Sequence, residues 1–442
     1  MWLVRILFDQ GVYDLRNKGN VALLQTAVER ISAQWTYAEI RVMTSAPHLL
    51  RLYCPNAFPV SPDASYDWTQ KSSLPNRLIR SLPRPVLRWV LELRDGVWHR
   101  YPMLGKLLTR QRQHAQESLE QPTSANAMPA STERKSHLEL LEGVDLFVAT
   151  GAQYMSDACR DDALKVLDRF EYAHRLGIPT AMVGQGLGPF EDADLLARVK
   201  QVLPLIDLIF IRDRVTAPPL LESLGVDATH VVFTGDDALE MVWRERTSSR
   251  GNAIGVSLRF AHYTEVGEQY LERIRAALLQ AAHKHAASLV AIPISHSVHE
   301  LDDRVIRQLL AGAKTMATHH GEFATPRDLI RMVSACRVVV TGAFHPAVFA
   351  LAQGIPAIGL AKSKMYVEKF ASLADQFGSA CQVLALDDPA FQQKLGEAIE
   401  RAWNVTETER AQMLVAAERQ IELGHAAYQR LYALVESRKK DK

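Results

Sequence analysis

Residues 338–361 read Val-Val-Val-Thr-Gly-Ala-Phe-His-Pro-Ala-Val-Phe-Ala-Leu-Ala-Gln-Gly-Ile-Pro-Ala-Ile-Gly-Leu-Ala, without one Asp, Glu, Lys or Arg. The run changes character along its length. Val338 to Val340 are β-branched and suit a strand. Pro346 to Ala352 suit a helix, with Pro346 at the first helical position. Gly354 and Pro356 break that helix, and Ile355 to Leu360 suit a second strand. A membrane-spanning helix would need ~20 residues of one uninterrupted period, which these breakers deny it. The stretch is a strand–helix–strand unit, and the crossover helix makes its two strands parallel.

The same alternation runs through most of the chain. Strands are expected at 3–8, 40–44, 146–149, 180–183, 208–211 and 231–233, and again at 253–258, 289–294, 337–340, 357–360 and 382–384. Helices fit between them, among others at 21–34, 162–175, 216–224, 268–285 and 327–334. Apolar strands alternating with helices form parallel sheets covered on both faces. The fold class is α/β. A polar run, Glu245-Arg246-Thr247-Ser248-Ser249-Arg250-Gly251-Asn252, divides the two series. Two Rossmann-like domains are expected, over 1–245 and 252–442, with a cleft between them. Ligands of such sheets bind beyond the carboxyl ends of the strands, so residues just after each strand carry the functional weight.

Composition agrees with full cores: of 442 residues, 48% are hydrophobic and 23% charged. Lys+Arg 51 against Asp+Glu 50 leaves a net charge of +1, which argues against a nucleic-acid partner. Cys54, Cys159, Cys336 and Cys381 are far apart and form no CxxC, so neither disulfides nor a zinc site is expected, and a reducing, cytoplasmic setting fits. Arg5 interrupts the apolar start, which suits a first strand better than a secretion signal.

One segment departs from the alternation. Residues 61–135 read as an insertion ending in the linker-like run 121–131, and 71–112 hold ten Lys/Arg and two acidic residues, a net of +8. With Trp89, Trp98 and Tyr101 among apolar positions at helical spacing, it is either a helical packing element or a basic amphipathic surface for anionic membrane or a lipid-linked acceptor.

Several strand ends carry candidate chemistry. His345 stands where a strand opens into a helix, whose unpaired N–H groups favour an anion that would hold the imidazole protonated. Arg212, before Asp213 and Arg214, and Arg259 each follow a strand and suit a carboxylate or phosphate, and Lys364 would add charge at the same edge. Gly184-Gln185-Gly186-Leu187-Gly188-Pro189 is a glycine loop that lets backbone approach a ligand, without the dinucleotide spacing. His296, His299, Asp302 and Asp303 form a loop cluster that reads as solvated, with Asp303 near a helix start, rather than as a metal site.

Taken together these motifs resemble the polysaccharide pyruvyl transferase family over roughly residues 3–375, the basic insertion aside. The glycine loop is the most specific match. Asn17-Lys18-Gly19-Asn20-Val21-Ala22 is similar to the family's early Gly-Asp-x-Ala-Ile segment, with Asn20 for Asp. Asp145 to Gly151 with Asp157 is similar to its second segment, where Thr150 and Ala152 replace glycines. Arg212-Asp213 with Thr216, Asp236-Asp237-Ala238-Leu239, Val256-Ser257-Leu258-Arg259, Phe344-His345, Gly354-Ile355-Pro356 and Lys364 follow in order. The family's Arg before its aromatic–His pair is Ala343 here. Either another cation replaces it, Arg259, Arg212 or Lys364, or the donor differs.

The resemblance implies a GT-B-like enzyme that moves pyruvate from phosphoenolpyruvate onto a sugar diol of a cell-surface polysaccharide or its precursor, as a ketal, with no cofactor and no metal. It implies His345 as general acid, Asp157 or Asp213 as acceptor of a hydroxyl proton, and Arg259, Arg212, Lys364 and Phe344 around the donor. The partners expected are phosphoenolpyruvate, a saccharide acceptor, free or lipid-linked, and the inner face of a membrane. A nucleotide-sugar glycosyltransferase and a non-catalytic glycan-binding member are the alternatives.

Overall fold

A computed structural model describes residues 3–62, 139–297, 300, 302–316 and 324–440. The insertion expected at 61–135 therefore lies almost wholly outside the described residues, as do its basic stretch 71–112 and His299.

The first half is built on β1 (Arg5–Asp9), α1 (Lys18–Gln34), β2 (Glu39–Met43), α2 (Pro47–Tyr53), β3 (Phe58–Val60), β4 (Leu146–Ala149), α3 (Arg160–Arg175), β5 (Thr180–Gln185), α4 (Ala193–Val202), β6 (Leu208–Ile211), α5 (Ala217–Ser223), β7 (Val231–Phe233) and α6 (Ala238–Glu245). Its seven strands lie in the order β3-β2-β1-β4-β5-β6-β7, all parallel. The second half follows with β8 (Ala253–Ser257), α7 (Leu271–Lys284), β9 (Ser288–Ala291), α8 (Asp302–Leu309), α9 (Pro326–Ser334), β10 (Cys336–Thr341), α10 (Phe344–Leu351), β11 (Ala357–Ala361), α11 (Lys364–Phe377), β12 (Cys381–Ala385), α12 (Phe391–Trp403) and α13 (Glu407–Lys440). Its sheet, β12-β11-β10-β8-β9, is also parallel throughout. The order reverses between β1 and β4 in one sheet and between β8 and β10 in the other, which places two ligand-binding crevices at the carboxyl ends of those strands.

Complete burial of β4, β5, β6, β8 and β11 explains why these strands read as apolar runs without alternation. The expected strand–helix–strand unit is β10-α10-β11. Its helix starts at Phe344, so Pro346 is its third residue and not its first. The whole first turn lacks intrahelical partners for its N–H groups, and proline is tolerated there. The strand not anticipated is β3, three residues with Pro59 at the centre, which survives because it lies at the sheet edge.

The two halves close on one another. Ala22 and Leu23 of α1 and Leu239 and Val242 of α6 share one apolar cluster with Val348, Phe349 and Ile330 of the second half. Main-chain hydrogen bonds cross the junction from Lys18 N to Ile294 O at 2.8 Å and from His296 N to Arg16 O at 3.2 Å. Helix α13 returns along both: Met413, Ala417 and Ile421 pack with the second half, whereas Ala427, Tyr428, Leu431 and Val435 pack in the core of the first. At 34 residues it is about 50 Å long, enough to span both domains. The end of this helix, within the expected domain 252–442, therefore packs on the first half. Among the described residues no helix is long and apolar enough to cross a membrane.

Candidate functional site

The crevices of the two sheets meet in one cavity of about 100 Å³, lined from the first half by Asn17, Asn20, Gln153 and Arg212 and from the second by Arg259, Glu300, His345 and Lys369. Each of these side chains is delivered by a strand end. Arg212 follows β6, Arg259 lies two residues past β8, His345 opens the helix after β10, and Lys369 is on the helix after β11.

Asn17 caps α1, its Oδ1 accepting from the N–H of Gly19 at 3.1 Å and of Asn20 at 3.4 Å, while its Nδ2 donates to Glu300 at 3.2 Å across the junction. This brings Gly19 so close to His345 that a Cβ there would lie 2.0 Å from the imidazole Nδ1. Gly186 does the same on the opposite wall: a Cβ would stand 2.0 Å from Gln153 Oε1 and 2.9 Å from Arg212 Nη2. Two positions of the motifs are glycine because side chains of the site occupy the space.

Arg212 donates to Asp236 at 3.1 Å and to Gln153 at 3.3 Å, with its guanidinium 4.5 Å from the centre of the Phe344 ring. Arg259 is more tightly held. Its Nε and Nη2 donate to the two oxygens of Asp302 at 2.8 and 2.9 Å, and its Nη1 donates to Glu300 at 3.0 Å and Tyr263 at 3.3 Å. Asp302 also accepts the N–H groups of Ile294 and Ser295. Burial raises Glu300, but Arg259 together with hydrogen bonds from Ser295, Tyr263 and Asn17 outweighs it and holds the carboxyl below its usual range.

His345 is 8% exposed, with its Nε2 unbonded and 3.8 Å from Asp236. Burial, then Arg212, Arg259 and Lys369, push its pKa well down, which leaves the imidazole neutral. Protonation as expected from the sequence needs a bound anion. Lys369 is half-buried, with its ammonium 4.6 Å from the centre of the Tyr366 ring and no carboxylate in ion-pair reach among the described residues. Burial and the same two guanidiniums push its pKa well down too.

Other expected residues stand apart. Lys364 has an 83% exposed side chain leaning towards Glu368 at 3.8 Å, outside the cavity; Lys369, on the inward face of the same helix, lines it instead. Asp157 spends both carboxylate oxygens on the N–H groups of Glu191 and Asp192, at 2.7 and 3.1 Å. Asp213 caps the turn into α5, accepting from the N–H of Val215 and Thr216 and from the Thr216 hydroxyl. In the glycine loop, Gly184 and Gly188 turn at positive φ, Gln185 is buried against Tyr154, and Gly186 and Gly188 line a smaller recess that shares Gln153, Arg212, Phe344 and Lys369 with the cavity. The solvated reading of the loop after β9 fails for Asp302, which is fully buried on Arg259, and holds for Asp303, which pairs with Arg307 in the exposed turn. A single sequence offers no signal for Lys369 or Glu300, and marks Asp302 only as one of a polar loop cluster, because polar residues in loops and helices look alike until the chain is folded.

The model of the polysaccharide pyruvyl transferase family matches residues 17–363. No curated protein matches the chain. Among solved structures, it is similar to the UDP-GlcNAc 2-epimerase from Neisseria meningitidis bound to UDP-GlcNAc, with 11% identity and a TM-score of 0.57 over 99% of this chain and 100% of that one. It is similar also to the UDP-GlcNAc 2-epimerase of Methanocaldococcus jannaschii in complex with UDP-GlcNAc and UDP (13%, TM-score 0.50, 92% and 94%) and to the spinosyn rhamnosyltransferase SpnG (15%, TM-score 0.50, 98% and 100%). At such identities the likeness is one of fold: two parallel α/β domains facing across a cleft in the GT-B arrangement. With the family model covering every strand end that arms the cleft short of Lys369, the chain belongs to the polysaccharide pyruvyl transferase family.

Proposed function

We propose that this protein transfers the pyruvate unit of phosphoenolpyruvate to two hydroxyls of a sugar in a cell-surface polysaccharide or its precursor, forming a cyclic ketal and releasing phosphate. The observation that carries this reading is the convergence of Arg212, Arg259 and His345 on a cavity of about 100 Å³. Sites for larger ligands typically enclose about 300–1,000 Å³, so a nucleotide sugar is poorly accommodated where a small, multiply charged anion fits.

In this reading Arg212, backed by Phe344, and Arg259 orient the donor. His345 takes up a proton as the anion arrives and gives it to the methylene carbon, leaving an oxocarbenium-like C2. One sugar hydroxyl attacks C2; the second then attacks the same carbon as the bond to the phosphate oxygen breaks. Of the two hydroxyl protons released, one replaces the proton spent on carbon and the other leaves on phosphate. Asp236, 3.8 Å from His345, is better placed than Asp157 or Asp213 to steady the imidazolium. The acceptor enters from the recess along Gly186 and Gly188.

The test is phosphate release from phosphoenolpyruvate with a panel of saccharide diols, the product being identified by its ketal methyl resonance. Release from a nucleotide sugar instead, with none from phosphoenolpyruvate, would overturn the reading.

A further inference from the structure

Charge in the cleft does not add up for an anionic donor. Arg212 is answered by Asp236, and Arg259 by both Asp302 and Glu300, so two guanidiniums face three carboxylates. All the donors around Asp302 are N–H groups, which only an ionised carboxylate can accept together. The arginines supply hydrogen-bond geometry but no surplus positive charge. Phosphoenolpyruvate bears a carboxylate and a phosphate, and the groups left to balance them are Lys369 and His345.

Lys369 is the odd member. A lysine turned into a cleft normally finds a carboxylate; this one has none among the described residues. It faces Arg212 after β6, Arg259 after β8, Glu300 before α8, Cys159 before α3, His345 on α10 and Tyr366 on its own helix. It lines both the main cavity and the recess beside it.

We infer that Lys369 is the cation that receives the anionic donor, and that it takes up a proton as the donor binds. The inference rests on the proposed reading of the site and identifies which residue provides its charge.

Calorimetric titration with phosphoenolpyruvate, in two buffers of different ionisation heat, tests it. The wild-type protein binds with proton uptake, seen as a buffer-dependent heat. Lys369→Met binds at least about tenfold more weakly and with smaller uptake, while its melting temperature is unchanged or raised. Lys369→Arg retains affinity but takes up fewer protons, because a guanidinium is charged throughout. If wild type binds and Lys369→Met matches it in affinity and uptake, the inference fails while the donor reading stands. Loss of binding together with a lowered melting temperature makes Lys369 structural and also overturns it. If wild type binds neither phosphoenolpyruvate nor inorganic phosphate, the donor reading falls and takes this inference with it.

Discussion

Helix α1 touches two charged cavities of opposite character. At its start, Asn17 and Asn20 border the small cleft of about 100 Å³; near its end, Arg30 borders a groove of about 890 Å³ between α1, α2, α6 and α13. In the large groove each charge has an answer. Arg30 donates to Asp237 and Glu240, both at 2.7 Å, and lies 4.7 Å from the Tyr428 ring centre, whose hydroxyl donates to Asp237 at 3.3 Å. In the small cleft His345 Nε2 makes no hydrogen bond, and the Lys369 ammonium has no carboxylate in ion-pair reach among the described residues. The difference teaches that volume does not mark the chemistry here. A satisfied buried ion network holds α13 to the first half, whereas in the small cleft the arginines are paired and an imidazole nitrogen and an ammonium are left over, the pattern that marks a candidate site.

That contrast can be broken by mutation, and the largest effect should come from the cleft. His345→Ala is expected to lower pyruvyl transfer by about 10²–10⁴, the usual worth of a general acid, while leaving the unfolding midpoint near wild type. Full transfer by this variant in the phosphate-release assay would remove His345 from the chemistry. Arg30→Met should show the reverse pattern. It strands Asp237 and Glu240, costing about 3–5 kcal/mol in denaturant unfolding, with turnover per folded molecule unchanged. An Arg30→Met protein that is fully stable but inactive would erase the distinction between the two cavities.

Gly19→Ala sharpens the comparison at its contact point. The added methyl would meet the imidazole of His345 and force it aside, at about 1–3 kcal/mol for overpacking, so activity should fall further than stability. Equal loss of both would mean that the α1 start is only a packing element.

The smallest effect is a pH dependence. The folded protein holds His345 neutral, because burial first, and then the guanidiniums of Arg212 and Arg259, depress its pKa, whereas the unfolded imidazole titrates at ~6.5. Below that value the unfolded chain binds a proton that the folded one refuses, so stability falls as pH drops. His345→Asn should flatten this slope relative to wild type; an unchanged slope would show that the depression is absent.

The expected alternation predicted the scaffold well because buried parallel strands are continuous apolar runs, and glycine, proline and asparagine punctuate them. What escaped was local and short: β3, whose three residues include a proline, and the starts of α1 and α10, which reach beyond the positions that sequence signals mark. Of the expected cleft residues, Arg212, Arg259, Phe344 and His345 come together, while Lys364 points outward and Asp157 and Asp213 serve backbone caps. A position just past a strand is fixed by topology and can be read from sequence. Whether a helical lysine faces in or out depends on the rotation of its helix, and five residues separate Lys364 from Lys369 by about 140° around the axis.

By itself the sequence determined two parallel α/β domains, the cleft at their strand ends, and a resemblance strong enough to reach the family, since periodicity and turn chemistry are local properties of the chain. Only the tertiary structure decided that both arginines are already neutralised, that Gly19 yields its space to His345, and that Lys369 lines the cleft with no carboxylate in ion-pair reach among the described residues. Those facts depend on which distant charges are brought within a few ångströms of each other, and no local pattern encodes that distance.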